Sequence, residues 1–210
     1  KDVHAFQEAD LILLNGATYA KWTTMTSLPK SKILNTSADF RDRFIQVTED
    51  GAHKHGRDGG HSHTGTAFTT WLDFKQAEQQ ATAIRDELVR LLPNSKHAIG
   101  HNFADLQKNL QALDSELTNI ANNYGETPLV GSHPVYQYLA RRYDLKIRSV
   151  HWEPHEMPTE EGWSELNAIR KEHPAKIMLW EGEPDKAIVQ KLLQQGISSV
   201  LFDPCGNRPD

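Results

Sequence analysis

Short apolar runs alternate with amphipathic segments through the second half of the chain. The apolar runs lie at 129–130, 146–151, 176–180 and 197–202, and segments with helical periodicity lie between them at 134–143, 159–173 and 184–195. Short, mostly apolar runs are typical of strands buried on both faces, and proline is favoured at the start of a helix, as at Pro134 and Pro184. The pattern predicts β-α-β-α-β-α-β, that is, a parallel sheet covered by helices.

The first hundred residues carry a weaker version of the same pattern. Apolar runs at 11–14 and 32–36 predict two strands, and Asn15-Gly16 predicts a turn after the first. A helical face formed by Ala77, Ala81, Ile84, Leu88 and Leu91 predicts a helix that ends before Pro93. A sheet that begins this close to residue 1 predicts an N-terminal lobe of which part is absent from the chain.

A long amphipathic segment separates the two halves. Its apolar residues keep a spacing of three and four positions on one helical stripe: Phe103, Leu106, Leu110, Leu113, Leu117, Ile120 and Tyr124. Asn102 is a favourable N-cap and Gly125 is favourable after the last turn, so the segment predicts one helix over 102–124 with a packed stripe. A coiled-coil strand is the alternative, but α/β patterns on both sides favour a helix that joins two lobes.

The predicted fold class is therefore α/β, with two Rossmann-like lobes joined by one long, rigid helix. The predicted boundaries are 1–100 for an incomplete N-terminal lobe, 101–125 for the connecting helix and 126–210 for the C-terminal lobe. No glycine or proline interrupts 102–124, so we expect only small movements between the lobes.

Composition narrows the classes of function. Net charge is −5, which gives no electrostatic basis for binding nucleic acid or an anionic membrane. The chain has one cysteine, Cys205, so an internal disulfide and a thiolate zinc cluster are both excluded. Its 11 histidines are unusual, because four of them fall within 53–63 together with three glycines. Imidazole is a common ligand of zinc, so this tract predicts a metal-binding loop, with a solvated loop of biased composition as the alternative.

Ionisable residues follow each predicted strand of the second half. They are His133, His151, Glu153, Glu181, Glu183 and Asp203. Ligands of open parallel sheets bind beyond the carboxyl ends of the strands, so these residues are expected to share one edge. Each also has a structural explanation: His133 caps a helix, Asp203 starts a turn, His151 packs in the core, and the glutamates are solvated.

The resemblance to a known protein family is carried mainly by Ser132-His133-Pro134-Val135-Tyr136-Gln137-Tyr138-Leu139-Ala140-Arg141-Arg142-Tyr143. This block resembles the Ser-His-x-x-Phe/Tyr-x-Tyr-Leu-Ala-x-x-Tyr motif of the zinc- and manganese-binding solute-binding proteins of bacterial metal ABC transporters. Asn15-Gly16, Trp71-Leu72-Asp73 after a His-rich loop, Glu153-Pro154 and Asp203-Pro204 extend the resemblance over nearly the whole chain. The family has two α/β lobes joined by a long helix, with metal held between them.

The resemblance implies that His133 and Asp203 are the metal ligands of the second lobe. Thr69 stands where family members usually carry a first-lobe histidine, two positions before Trp71. We hypothesise that His61 or His63 supplies the replacement imidazole. The histidine content favours zinc, with manganese as the alternative.

The expected function is capture of a divalent transition metal and its delivery to a membrane ABC permease, by a monomer located in the periplasm or at the cell surface. The expected class is a binding protein rather than an enzyme. Two alternatives stay open: a surface adhesin with a degraded metal site, and a chelatase-like metal enzyme that uses an open zinc site.

Overall fold

The computed structural model describes residues 3–47 and 65–205, and the chain divides into two compact units, 1–113 and 114–210. The His-rich tract, with His61 and His63, lies outside the described residues. Across the described ranges, no helix is long and apolar enough to cross a membrane.

The first unit is built on short strands and one well-capped helix. Its elements are α1 (Val3–Glu8), β1 (Ile12–Leu14), β2 (Ile33–Asn35), β3 (Gln46–Val47), β4 (Gly65–Thr66) and α2 (Phe74–Leu91), with short 3-10 turns between them. The two predicted strands are present as β1 and β2, and they pair in parallel with Ile12 opposite Ile33. Strands β3 and β4 form an antiparallel ribbon. The Asp73 carboxylate accepts hydrogen bonds from the first backbone N–H groups of α2, which fixes where that helix starts.

The long helix, α3, runs from Lys96 to Tyr124. The predicted N-cap at Asn102 is wrong, because the helix continues back through Gly100 to the 3-10 turn at Pro93–Ser95. A single glycine lowers helix stability without ending a helix, and the proline at residue 93 provides the break instead.

The expectation that α3 packs a continuous apolar stripe is also wrong. None of its residues is buried, and Leu106, Leu113 and Ile120 are 44–52% exposed. Polar contacts hold the helix instead. In the first unit, Gln107 and Gln111 donate to Glu78 of α2. In the second unit, the Asp114 carboxylate accepts hydrogen bonds from the guanidinium of Arg142 and the hydroxyl of Tyr143.

The second unit confirms the predicted strand and helix order. It contains β5 (Leu129–Gly131), α4 (Gln137–Tyr143), β6 (Ile147–Ser149), α5 (Glu160–Glu172), β7 (Ile177–Trp180), α6 (Lys186–Gln194) and β8 (Ser198–Leu201). The four strands form one parallel sheet in the order β6-β5-β7-β8. The predicted α/β class with parallel sheets, helices and one long helix is therefore confirmed.

Apolar side chains from these strands and helices and from the residues beside them form one core. Its buried members are Val130, Val150, Trp152, Trp163, Leu166, Ala175, Met178, Trp180, Ile188, Leu192 and Ile197. Burial of large side chains such as these contributes about 1.5–3 kcal/mol each, so the sheet is a firm support for the loops at its edge.

Asp114 of α3 is hydrogen-bonded to two residues of α4. Arg142 donates to both carboxylate oxygens of Asp114, at 3.0 and 2.8 Å, and the Tyr143 hydroxyl donates to Oδ1 at 2.9 Å. Paired contacts of this kind fix geometry as well as adding stability. They fix the end of α4, the helix that begins shortly after His133.

Candidate metal centre

His133 lies just beyond the end of β5, the strand that pairs with both β6 and β7. The backbone of Ser132, the residue before His133, is hydrogen-bonded to β7 and to the segment after β6. Its N–H donates to the carbonyl of Leu179 at 2.8 Å, and its carbonyl accepts from the N–H of Trp152 at 2.7 Å. The start of the histidine turn is therefore held from two sides, and the His133 side chain is only 18% exposed.

Two carboxylates flank the imidazole of His133. Its Nδ1 lies 2.9 Å from Oε1 of Glu181, and its Nε2 lies 3.6 Å from Oε1 of Glu153. The Glu181 contact has ion-pair distance, although the carboxylate lies off the line of an ideal N–H hydrogen bond. The side chain of Glu181 is 26% exposed and that of Glu153 is 64% exposed, so Glu181 is the more fixed of the two.

The surroundings raise the pKa of His133 above its usual value. Burial is the largest influence and lowers it, because it disfavours the charged ring. The contact and charge of Glu181, the charge of Glu153 and the backbone of Trp152 act in the opposite direction and together outweigh burial.

Asp203 follows β8 at the same edge of the sheet. Its Oδ1 accepts a hydrogen bond from the N–H of Cys205 at 2.7 Å, an Asx turn that fixes the carboxylate. The residue is exposed, so the carboxylate remains accessible. The N–H of Phe202 donates to the carbonyl of Trp180 at 2.8 Å, which holds this chain segment beside the end of β7.

Tyr136 connects the histidine turn to the residues after β8. Its buried hydroxyl donates to the carbonyl of Phe202 at 2.8 Å, and the two rings meet edge to face at 5.8 Å. Burial raises the pKa of Tyr136 far above its usual value, and the negative charges of Glu181 and Asp203 raise it further. The Tyr136 hydroxyl therefore joins the histidine turn to the segment that carries Asp203.

The structure brings together part of the predicted set. His133 and Asp203 occupy the same edge of one sheet, as expected, and His133 is in contact with Glu181 and Glu153. Within 3–47 and 65–205, no three His, Cys, Asp or Glu side chains are arranged to hold one metal ion. His151 is exposed, which is contrary to a packed core histidine, and its ring centre lies 6.1 Å from that of His133.

Glu181 and Glu153 were recognisable as strand-end residues that the sequence suggested are solvated. Glu153 is indeed exposed, whereas Glu181 is only partly so. The loops that carry them lie against each other. The N–H of Asp185 donates to the carbonyl of Pro154, and a side chain at Gly182 would come within 3.3 Å of the Pro154 ring. The segment after β6, which carries Glu153, and the segment after β7, which carries Glu181, therefore pack closely beside the histidine turn.

In the first unit, the corresponding strand ends carry neutral groups. Thr69, at the position of the expected histidine, is 2% exposed. Gln80 donates to Oδ1 of Asn15 at 2.9 Å and to Oγ1 of Thr36 at 2.8 Å, and it accepts from Thr70 at 3.2 Å. This edge is a buried network of amides and hydroxyls.

The chain is similar in fold to several solved structures. The metal-dependent lipoprotein YcdH from Bacillus subtilis is 19% identical, with 96% of this chain and 72% of that chain covered and a TM-score of 0.76. Zn(II)-bound AdcA from Streptococcus pneumoniae is 20% identical, with 99% and 43% covered and a TM-score of 0.76. The laminin-binding protein Lbp of Streptococcus pyogenes is 22% identical, with 100% and 77% covered and a TM-score of 0.70. At these identities the similarity establishes the fold.

No curated protein sequence is a match for the chain. A family model does match, over residues 1–210, and its description is ZnuA, the periplasmic component A of a zinc-uptake complex. This match confirms the resemblance inferred from the Ser132–Tyr143 block and the expected class, a metal-binding solute-binding protein of ABC transport. The chain belongs to the ZnuA family of periplasmic zinc-uptake components.

Proposed function

We propose that this chain captures zinc at the edge of its second sheet, through His133 and Asp203, and delivers it to the membrane permease of an ABC transporter. The observation that carries the proposal is the position of His133. It is a largely buried imidazole at the end of a central strand, with a carboxylate beside each ring nitrogen. An imidazole and carboxylate donor set is suited to zinc, whereas manganese favours more oxygen ligands.

Asp203 supports the proposal because its carboxylate is both fixed and accessible. The Cys205 N–H binds Oδ1 and orients the carboxylate, so Oδ2 can face a cation. The two residues would supply one nitrogen and one oxygen ligand, and zinc in proteins usually has four ligands. Water or further side chains would complete the set.

We propose His61 or His63 as the source of a further imidazole, on the basis of their ligand chemistry and their position in sequence shortly before Thr69. The double variant His61→Ala/His63→Ala would then weaken zinc binding and lower the number of nitrogen ligands seen by X-ray absorption at the zinc edge. Unchanged affinity and unchanged nitrogen count would assign the tract to another role.

The experiment that tests the main proposal is zinc titration calorimetry with matched variants. His133→Ala or Asp203→Ala should weaken binding by about 100-fold or more, because removing even a residue behind the ligands commonly costs 10–100-fold. His155→Ala and Asp185→Ala are the controls, since they break a second His–Asp pair, 3.6 Å apart and largely exposed, in the same unit. Equal losses in both pairs, or none in either, would contradict the proposal.

A surface adhesin with a weakened metal site is the second candidate. Thr69 in place of the usual histidine supports it, and one similar structure is that of a laminin-binding protein. Zinc and manganese competition distinguishes the two candidates, because an adhesin with a degraded site would hold neither metal in a defined stoichiometry. Binding and transfer of metal, without catalysis, is the activity we propose over a chelatase-like enzyme.

A periplasmic or cell-surface location and a monomeric state complete the proposal. The family description is periplasmic, which supports the location. Light scattering after gel filtration, with and without zinc, would test the monomer, and a mass near twice 23.8 kDa would contradict it.

A further inference from the structure

We infer that Glu181 is a positioning residue for His133: it holds the Nδ1 side of the ring and leaves Nε2 as the nitrogen that binds the metal. The inference rests on the proposed function, since it specifies how His133 would act as a ligand. The Nδ1–Oε1 distance of 2.9 Å, against 3.6 Å between Nε2 and Glu153, is its first observation.

The chemistry of imidazole makes the choice of nitrogen exclusive. A neutral imidazole carries one N–H and one free lone pair, and only the lone pair binds metal. The two ring nitrogens point in different directions, so one ion cannot bind both. A carboxylate beside Nδ1 favours the proton at Nδ1, and this leaves the lone pair on Nε2.

The backbone around Glu181 is fixed firmly enough for this role. Glu181 directly follows Trp180, which is fully buried and ends β7. The Trp180 carbonyl accepts from the N–H of Phe202, and its indole N–H donates to Oγ of Ser199 at 3.2 Å. The turn of His133 is held by β7 as well, through the Ser132 contact to Leu179. One strand therefore positions both partners.

Glu153 is less suited to hold the ring. Its side chain is 64% exposed, and its oxygen lies beyond hydrogen-bond distance from Nε2. A side chain in that position can move away when an ion occupies the space beside Nε2. Glu181, with 26% exposure and the shorter contact, stays behind the ring.

The test has two readouts, of which the first needs no metal. Nitrogen-15 NMR of the metal-free protein at about pH 8.5, about two units above the usual histidine pKa, reports which ring nitrogen of His133 carries the proton. We expect the Nδ1–H form in the wild type and in Glu181→Gln, whose amide oxygen keeps a negative partial charge beside Nδ1. We expect a shift toward the Nε2–H form in Glu181→Ala. Glu153→Gln should leave the proton at Nδ1.

The second readout is zinc affinity by chelator competition. Glu181→Ala should weaken zinc binding by about 10–100-fold, with Glu181→Gln between Glu181→Ala and the wild type. Glu183→Ala is the matched control, because it removes an exposed carboxylate two residues away and should change affinity less than about twofold. Thermal unfolding of every variant separates loss of positioning from loss of fold.

Two results would overturn the inference. One is an Nε2–H form in the wild type, which would make Nδ1 the metal-facing nitrogen. The other is a Glu181→Ala variant that binds zinc as tightly as Glu183→Ala. If the wild type failed to bind zinc, the proposed function would fall, and with it the metal-facing role of Nε2; the NMR result would still decide whether Glu181 holds the ring.

Discussion

Both units place polar residues after the ends of parallel strands, but the residues are of different kinds. In the first unit, β1 and β2 lead into Asn15 and Thr36, and these join Gln80 and Thr70 in a buried network of neutral groups. In the second unit, the strands lead into His133, Glu153, Glu181 and Asp203, all of which are ionisable. The ends of parallel strands therefore carry two chemically different edges in this chain.

The difference shows what each edge can do. Neutral amides and hydroxyls that satisfy one another are stable without a ligand, because no charge needs solvation or a counter-ion. Gly16 contributes to this closure: it has a φ of +83°, and any side chain there would overlap Asn35 and Ser37. The charged edge has accessible carboxylate oxygens and an imidazole, so a cation can add to it.

The largest expected change is a loss of folding stability when the neutral network of the first unit is disrupted. Gln80→Ala would leave Asn15, Thr36 and Thr70 without their buried partner, which should lower the free energy of unfolding by about 3 kcal/mol. Urea denaturation measures the loss. Gln79→Ala is the control, because Gln79 is exposed, contacts only Arg43 among the hydrogen bonds resolved for it, and should cost about 0.5 kcal/mol or less.

Zinc affinity measured on the same variants sharpens the contrast. If the neutral edge of the first unit only stabilises the fold, Gln80→Ala should change zinc affinity by less than about threefold in protein that remains folded. A loss as large as that of His133→Ala would show that the neutral edge belongs to the metal site. Equal stability of Gln80→Ala and Gln79→Ala would contradict the network.

The next effect is the pH dependence of zinc binding. Burial lowers the pKa of His133, but the neighbouring carboxylates outweigh it and raise the pKa above the usual value of about 6.5. Protons therefore begin to compete with the metal at a higher pH than for an ordinary histidine. Zinc affinity should be highest above the raised pKa. It should fall as the pH decreases through that pKa, by about 10–100-fold between about pH 7.5 and 5.5. Titration calorimetry at several pH values measures the change.

His155→Ala should keep the same pH profile, since that imidazole is 76% exposed and is paired with Asp185 rather than Glu181. Affinity that stays flat over this pH range would exclude histidine ligation. It would also remove the contrast between a neutral edge and a titrating edge.

The sequence predicted the second unit well because its strands are short, mostly apolar runs, and the two central ones, β5 and β7, are largely buried. A strand such as Ile177–Trp180 has few polar positions, so its ends are clear and the ionisable residues beyond them can be identified. His133, Glu181 and Asp203 were all found in this way. Their contacts were not predictable, because the approach of Gly182 to Pro154 is a matter of loop packing between distant segments.

The first unit and α3 were predicted less well for a related reason. Gln80 and Thr70 look like ordinary polar residues of a helix and a turn, and only the fold shows that they are buried together. The stripe on α3 has helical spacing, which predicts a helix correctly but does not determine what covers it. Leu113 and Ile120 remain exposed while Glu78 and Asp114 provide the contacts.

The smallest effect should come from the link between the two candidate ligands of the second unit. Tyr136→Phe removes the hydrogen bond to the Phe202 carbonyl and should cost about 1 kcal/mol of stability. Because this bond ties the turn of His133 to the segment of Asp203, zinc affinity should fall by several-fold, on the order of 1 kcal/mol. Tyr143→Phe is the matched control, since its hydroxyl contacts Asp114 on α3. That variant should lose similar stability and keep its zinc affinity, and equal losses of affinity in both would show that Tyr136 acts on the fold alone.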